Sequence, residues 1–395
     1  MKVLKTIGSR LLSAVRLLLG AALLLILPLL MIYLNYSIDC SGYFQGALEL
    51  RETANMVLAG QDFTGFDKLN NSERDIMKIF ANNIDPLPEW IALGSSRILQ
   101  LSSDILQHES FFNCGMTGGD AADVLGTFWL FDRENRLPKT IIIGFDPWLL
   151  RDDDYAWDKR SDKELYAEFL NTKLGYNITY EKPDTTEKWK ALYSPQYFQD
   201  NVKYFLQSKD GNTQPKPVEG DVYNQEAAVK RGDGSLLYEV PFRTRPLEER
   251  AADALYMGLN LLRMTEYPRL GRQMPEIFDR FFAYAKERGV NIVLVLSPYH
   301  PLTYDYVTEH SDEYKGFLQT EPAVRKLAEK YDFKVFGSYN PHNIPGVTEK
   351  DFYDGLHPSG DCLRKIIWGA TEEEIKEAAQ QVADKNDKTD KKSKV

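Results

Sequence analysis

The chain has 395 residues, 43% of them hydrophobic and 12% aromatic, enough apolar side chain for most of it to fold rather than stay disordered. Its 58 acidic residues outnumber 48 basic ones, and four of the cations precede residue 17, so the remainder is strongly acidic. Outside a local basic groove, such a domain has no bulk field for nucleic acid or anionic lipid, and three cysteines are too few for a disulfide framework.

Leu17 to Leu34 is an unbroken run of 18 residues without charge, just long enough as a helix to cross a bilayer core. Lys2, Lys5, Arg10 and Arg16 precede it with no acidic residue among them, which predicts a cytoplasmic N-terminus and an extracytoplasmic main domain. The run is longer than the apolar core of a signal peptide and no A-x-A-like cleavage site follows, so residues 1–35 read as a cytoplasmic tip and retained anchor. Residues 36–87 read as a helical stalk or first packing layer. Short strands are then expected at Trp90 to Gly94, Phe111 to Cys114, Thr140 to Gly144, Asn291 to Leu296 and Phe333 to Phe336. Helices are expected at Arg97 to Gln107, Asp120 to Phe131, Pro275 to Arg288, Glu321 to Tyr331 and Asp361 to Ala383. Apolar strands alternating with helices predict an α/β fold, a mostly parallel sheet with helices on both faces, over 88–383.

Residues 151–270 interrupt the alternation. They are rich in Tyr, Trp, Lys, Asp and Glu and form a large insertion, read either as a lid or substrate platform or as a packing subdomain. Residues 384–395 are Lys/Asp-rich with no hydrophobic period and read as a disordered tail.

Sites in parallel sheets lie beyond the carboxyl ends of the strands. Ser96, in Gly94-Ser95-Ser96-Arg97, follows the first strand. A serine there suits a nucleophile and half an oxyanion hole, and it equally suits a helix N-cap. Asp354-Gly355-Leu356-His357 follows the last strand. Histidine is the base a serine hydroxyl needs, and a carboxylate three residues earlier can fix its tautomer. Tyr299 and His300 follow the strand ending at Leu296. With Arg97 they are read as substrate-binding, or else as an ordinary loop. Cys114 and Cys362 each flank one of these motifs and read either as a disulfide pair or as two small buried hydrophobes. No metal-ligand spacing and no phosphate-binding loop is present, so no metal and no cofactor is expected.

The order Ser…Asp…His, one motif at each end of the sheet domain, resembles the SGNH (GDSL-like) hydrolase superfamily. It is most similar to the membrane-anchored extracytoplasmic branch of DltD and the alginate-type O-acetyltransferases. The resemblance covers about 88–150 and 272–382 and omits the insertion. It implies a three-layer, flavodoxin-like α/β/α fold. Ser96 would be the nucleophile, Gly94-Ser95-Ser96 standing where Gly-Asp-Ser is usual, with Asp354 and His357 as the closing Asp-x-x-His. Asn113-Cys114-Gly115-Met116-Thr117-Gly118 matches a second block, which implies that the Gly118 and Ser96 N–H groups face the oxyanion. Asp146 occupies the place of a third donor, normally Asn. An ionised Asp cannot donate, so it is either held protonated or turned aside to cap a helix or hold Arg97. The resemblance further implies acyl transfer to, or ester hydrolysis on, a cell-surface polysaccharide. Its expected partners are the bilayer, a membrane acyltransferase and a surface glycan, with no nucleic acid. A non-catalytic glycan-binding module and D-alanyl transfer are the alternatives.

Overall fold

The computed structural model describes residues 20, 25–40, 44, 48–65, 73–180, 186–209 and 215–369. Seven of the 18 residues of the apolar run at Leu17 to Leu34 and all of the tail lie outside them. Among the described residues no helix is long and apolar enough to cross a membrane, while residues 25–38 are helical. The chain divides into two units, one from Met1–Asn55 with Glu181–Pro215, the other from Met56–Tyr180 with Lys216–Val395.

The larger unit is built on five parallel strands. They are β1 (Trp90–Leu93), β2 (Phe111–Asn113), β3 (Thr140–Gly144), β4 (Asn291–Leu296) and β5 (Lys334–Gly337), in the order β2-β1-β3-β4-β5. The register pairs Ala92 with Ile142, Ile142 with Val293 and Val295 with Phe336. Because side chains alternate along a strand, Ala92, Ile142 and Val295 share one face, where they pack with Leu363 and Ile366. These last two come from α8, defined below. Ile91, Ile141, Ile143, Ile292 and Leu294, all buried, take the other face.

The helices follow in chain order: α1 (Glu73–Asn83), α2 (Ala121–Asp132), α3 (Lys163–Lys173), α4 (Leu247–Leu259), α5 (Gln273–Glu287), α6 (Pro301–Glu309), α7 (Lys315–Tyr331) and α8 (Gly360–Trp368). Asp120 caps α2 through a capping box. Phe128 of α2 meets Phe281 of α5 edge-on at 5.0 Å, and Phe278 of α5 meets Phe145 beyond β3 at 4.8 Å.

Several expected elements are corrected. Arg97 to Gln107 is not a helix. Residues 95–101 turn through three-residue hydrogen bonds such as Ile98 N–H to Ser95 O, and only Ser103–Leu106 is helical. The reason is tertiary: the Asn113 amide takes the carbonyls of Ile98 and Leu101, which a continuous helix would use itself. The last helix ends at Gly369 in the left-handed region, and 370–383 lie outside the described residues. The stalk region is helical at Leu48–Leu58 and α1, but Phe63–Thr64 is a strand. It sits in a small antiparallel sheet with Lys216–Pro217, Val229–Lys230 and Leu236–Leu237. The insertion is therefore not one body. Residues 181–215 belong with the N-terminal segment, and the rest is woven into the sheet domain.

Candidate active site

Strand order reverses between β1 and β3, and Ser96 lies just beyond the carboxyl end of β1 at that point. The chain leaves β1 through Gly94 at φ +145°, where an added Cβ would lie 2.8 Å from the Gly144 carbonyl oxygen. Glycine is thus required by both the backbone angle and the close approach to β3.

Ser96 Oγ is 2.9 Å from His357 Nε2, and His357 Nδ1 is 2.7 Å from Asp354 Oδ2. The other Asp354 oxygen accepts the N–H groups of Leu356 at 2.7 Å and His357 at 2.8 Å. Burial alone would push this carboxyl up, but the facing His357 and the two backbone donors hold it below its ordinary value. It therefore stays an acceptor and holds the histidine proton on Nδ1, leaving Nε2 free to take the serine proton. The Tyr238 ring stands edge-on to His357 at 5.9 Å.

Arg97 positions this constellation. Buried at 2% exposure, it donates to Leu356 O at 3.2 Å, Ser297 O at 2.5 Å, Pro298 O at 2.9 Å and Asp146 Oδ1 at 3.0 Å. Its guanidinium lies 3.8 Å over the Tyr299 ring. One side chain thus ties the serine loop to the histidine loop and to the end of β4. Asp146 makes no side-chain cap bond. Burial pushes its carboxyl up and Arg97 pulls it down, burial prevailing. Directed at Arg97, it is part of the support and not an oxyanion donor.

The expected substrate contacts are likewise corrected. Arg97, Tyr299 and His300 are all buried, at 2%, 0% and 1% exposure, and none lines the cavity beside Ser96. Residues after β4 do rise toward the site, but α6 and the loop of 352–357 cover them. His300 caps α6, its Nδ1 accepting from Leu302 N–H, and burial lowers its pKa to about 4, so it is neutral. Cys114 and Cys362 are free, buried thiols. Cys362 packs in the apolar cluster with Leu363 and Ile366, and burial pushes the Cys114 thiol up to about 12. They act as small hydrophobes and not as a staple.

Gly118 does reach the site. It lies at φ +65° and lines the same cavity as Ser96 and His357. Its loop is clamped from two sides. Glu73 of α1 accepts from Thr117 N–H at 2.7 Å, and Arg160 donates to Thr117 O at 3.0 Å. A Cβ on Gly118 would meet Asp158 Oδ2 at 2.7 Å.

The cavity has a volume of about 510 Å³. Much of its wall comes from the region read as an insertion: Asp158, Arg160, Lys230, Tyr238, Phe242 and Arg263. Asp158 sits between the two arginines, 2.8 Å from Arg160 and 2.9 Å from Arg263. Burial opposes its charge, yet Arg160 and the backbone hold its carboxyl down at about 2. These residues carry no sequence pattern. The nearest cue was the insertion's excess of charged and aromatic residues.

No family model matches the chain, and no curated protein matches it significantly. Among the described residues no group of three or more His, Cys, Asp or Glu is placed to hold a metal ion.

Proposed function

We propose that this chain is an SGNH-type serine acyl-group enzyme with a flavodoxin-like core, anchored by its apolar N-terminal run and working outside the cytoplasm. The observation that carries the reading is the unbroken hydrogen-bond chain Ser96–His357–Asp354 at 2.9 and 2.7 Å, opening on a cavity. Ser96 Oγ attacks the carbonyl of an ester or thioester while His357 Nε2 takes its proton. Collapse of the tetrahedral adduct breaks the bond to the leaving alcohol or thiol, which receives that proton. An acceptor hydroxyl then gives its proton to His357 and attacks the acyl-serine, and His357 returns the proton to Ser96. The backbone N–H groups of Ser96 and Gly118 are the donors toward the oxyanion.

A sugar hydroxyl of a cell-surface polysaccharide as acceptor, with acetyl as the acyl group, is the version that an extracytoplasmic anchored enzyme favours. Water as acceptor makes the same site an esterase, and a D-alanyl group would follow the same steps. Asp146 favours a second reading, a non-catalytic glycan-binding module, because its engagement with Arg97 leaves two donors where three are usual. A serine-directed fluorophosphonate separates the two. Enzyme predicts one adduct per chain, on Ser96 and absent in Ser96→Ala. A chain that stays unlabelled while binding glycan overturns the catalytic reading.

A further inference from the structure

In the N-terminal unit, helical residues 25–38 carry the end of the apolar run, and Asn35 is the first polar residue after Leu34. Its amide donates to the carbonyls of Ala191 at 3.2 Å, Leu192 at 3.0 Å and Ser194 at 3.2 Å. Those carbonyls lie at the end of one further helix, Thr186–Leu192, and in the turn that leads to the next, Pro195–Lys209. The second helix is bound on one face. Asn201 donates to Asn35 Oδ1 at 3.1 Å and accepts from Cys40 N–H at 2.8 Å, and Tyr197 OH donates to Asp39 at 2.8 Å. The hairpin is therefore fixed by buried polar bonds at the level where the apolar run ends.

Its exposed surface sets large apolar and aromatic side chains among the polar Lys190, Gln196, Gln199, Asp200 and Lys203. Trp189 is 59% exposed, Tyr193 65%, Phe205 43% and Leu206 58%. Phe198, Val202 and Leu206 recur four residues apart on one face of the second helix and line a shallow apolar groove with Lys203. Tyr33 and Tyr36, at the end of the first helix, are exposed as well. Large exposed apolar patches mark interaction sites. Trp and Tyr at the end of an apolar run, with an amphipathic helix and lysines beside it, suit the boundary between headgroups and acyl chains.

We propose that the hairpin 186–209 is an interfacial foot, which seats Trp189, Tyr193, Phe205 and Leu206 in the outer surface of a lipid bilayer next to the anchor. This rests on the anchor of the proposed function and not on its chemistry. The chain leaves the bilayer at Asn35, and Asn35 itself holds the hairpin, so lipid is the surface that lies within its reach.

The full chain reconstituted in phosphatidylcholine vesicles, with and without brominated acyl chains, tests this. The difference in fluorescence between wild type and Trp189→Phe isolates Trp189. It is expected to fall by about half or more with brominated lipid, as for a ring at headgroup depth. Leu206→Glu is expected to reduce that quenching while the protein still floats with the vesicles. Flotation with Trp189 unquenched, or with Trp189 quenched only after a second membrane protein is added, overturns the lipid foot and leaves the anchor standing. A chain that fails to float overturns the anchor, and the foot with it.

Discussion

The cavity has two walls of different character. One is built from strand ends: Ser96 after β1, the loop of Thr117 and Gly118 after β2, and His357 after β5, with Asp354 buried behind it. Its supporting atoms are buried and tied to one another, with Arg97 making four hydrogen bonds to three separate segments and the backbone fixing Asp354. The other wall comes from 158–160, 228–242 and 262–263 and presents charged and aromatic side chains. Under the proposed function, the difference puts reactivity in the first wall, where geometry is over-determined, and choice of substrate in the second.

That division can be broken by experiment. Replacing the triad carboxylate, Asp354→Asn, should lower turnover of a small activated ester by about 10²–10⁴-fold, since the histidine loses its fixed tautomer. Its affinity for ester should change little. A loss of only a few fold would remove Asp354 from the mechanism.

Arg97→Met should act on stability before chemistry. It leaves buried Asp146 without its countercharge and with only the Ser95 side chain as partner, which costs about 3–5 kcal/mol, read as a lowered denaturant midpoint. The double variant Arg97→Met with Asp146→Leu should recover much of the stability but not the activity, because the Ser96 and His357 loops lose their common tie. Full recovery of both would make the ion pair a packing feature only.

Lys230→Met addresses the second wall. Burial depresses the Lys230 ammonium, opposed by Glu73 nearby. The substitution should leave kcat for a small neutral ester near wild type and raise KM for a saccharide acceptor by about tenfold, the sign of lost binding without lost chemistry. Equal losses with both substrates would erase the distinction between the walls.

The smallest effect concerns His300. Its folded-state pKa of about 4 lies below the ordinary 6.5, so the unfolded chain binds the proton first. The stability that neutral His300 contributes is complete above pH 6.5 and is lost as pH falls toward 4. His300→Asn keeps an acceptor for the α6 cap and should flatten that stretch of the stability curve. An unchanged curve would mean that His300 is not held neutral.

The first wall was largely legible in the sequence and the second was not, for physical reasons. Runs such as Thr140 to Gly144 and Asn291 to Leu296 are buried on both faces of the sheet, so their apolar character is continuous and their ends are easy to find. Short turns bearing Ser, Asp and His after such ends follow from the same pattern. Exposure is a different matter. Arg97, Tyr299 and His300 stand at a strand end like true site residues, but they are covered by α6, which starts directly after His300, and by the loop of 352–357, distant in sequence. The helix expected at Arg97 to Gln107 failed similarly, because Asn113 competes for its carbonyls. The second wall hangs on two-residue antiparallel strands, Val229–Lys230 and Leu236–Leu237, too short to show any period.

Whether Ser96 is an acylated nucleophile is decided by trapping the acyl group. The purified chain is mixed with p-nitrophenyl acetate, quenched in acid within one turnover and mapped by peptide mass. One acetyl group is expected, on Ser96, lost on addition of an acceptor saccharide or with time in water, and absent in both Ser96→Ala and His357→Ala. Acetylation that leaves Ser96 unmodified, or that is undiminished in Ser96→Ala, would contradict it.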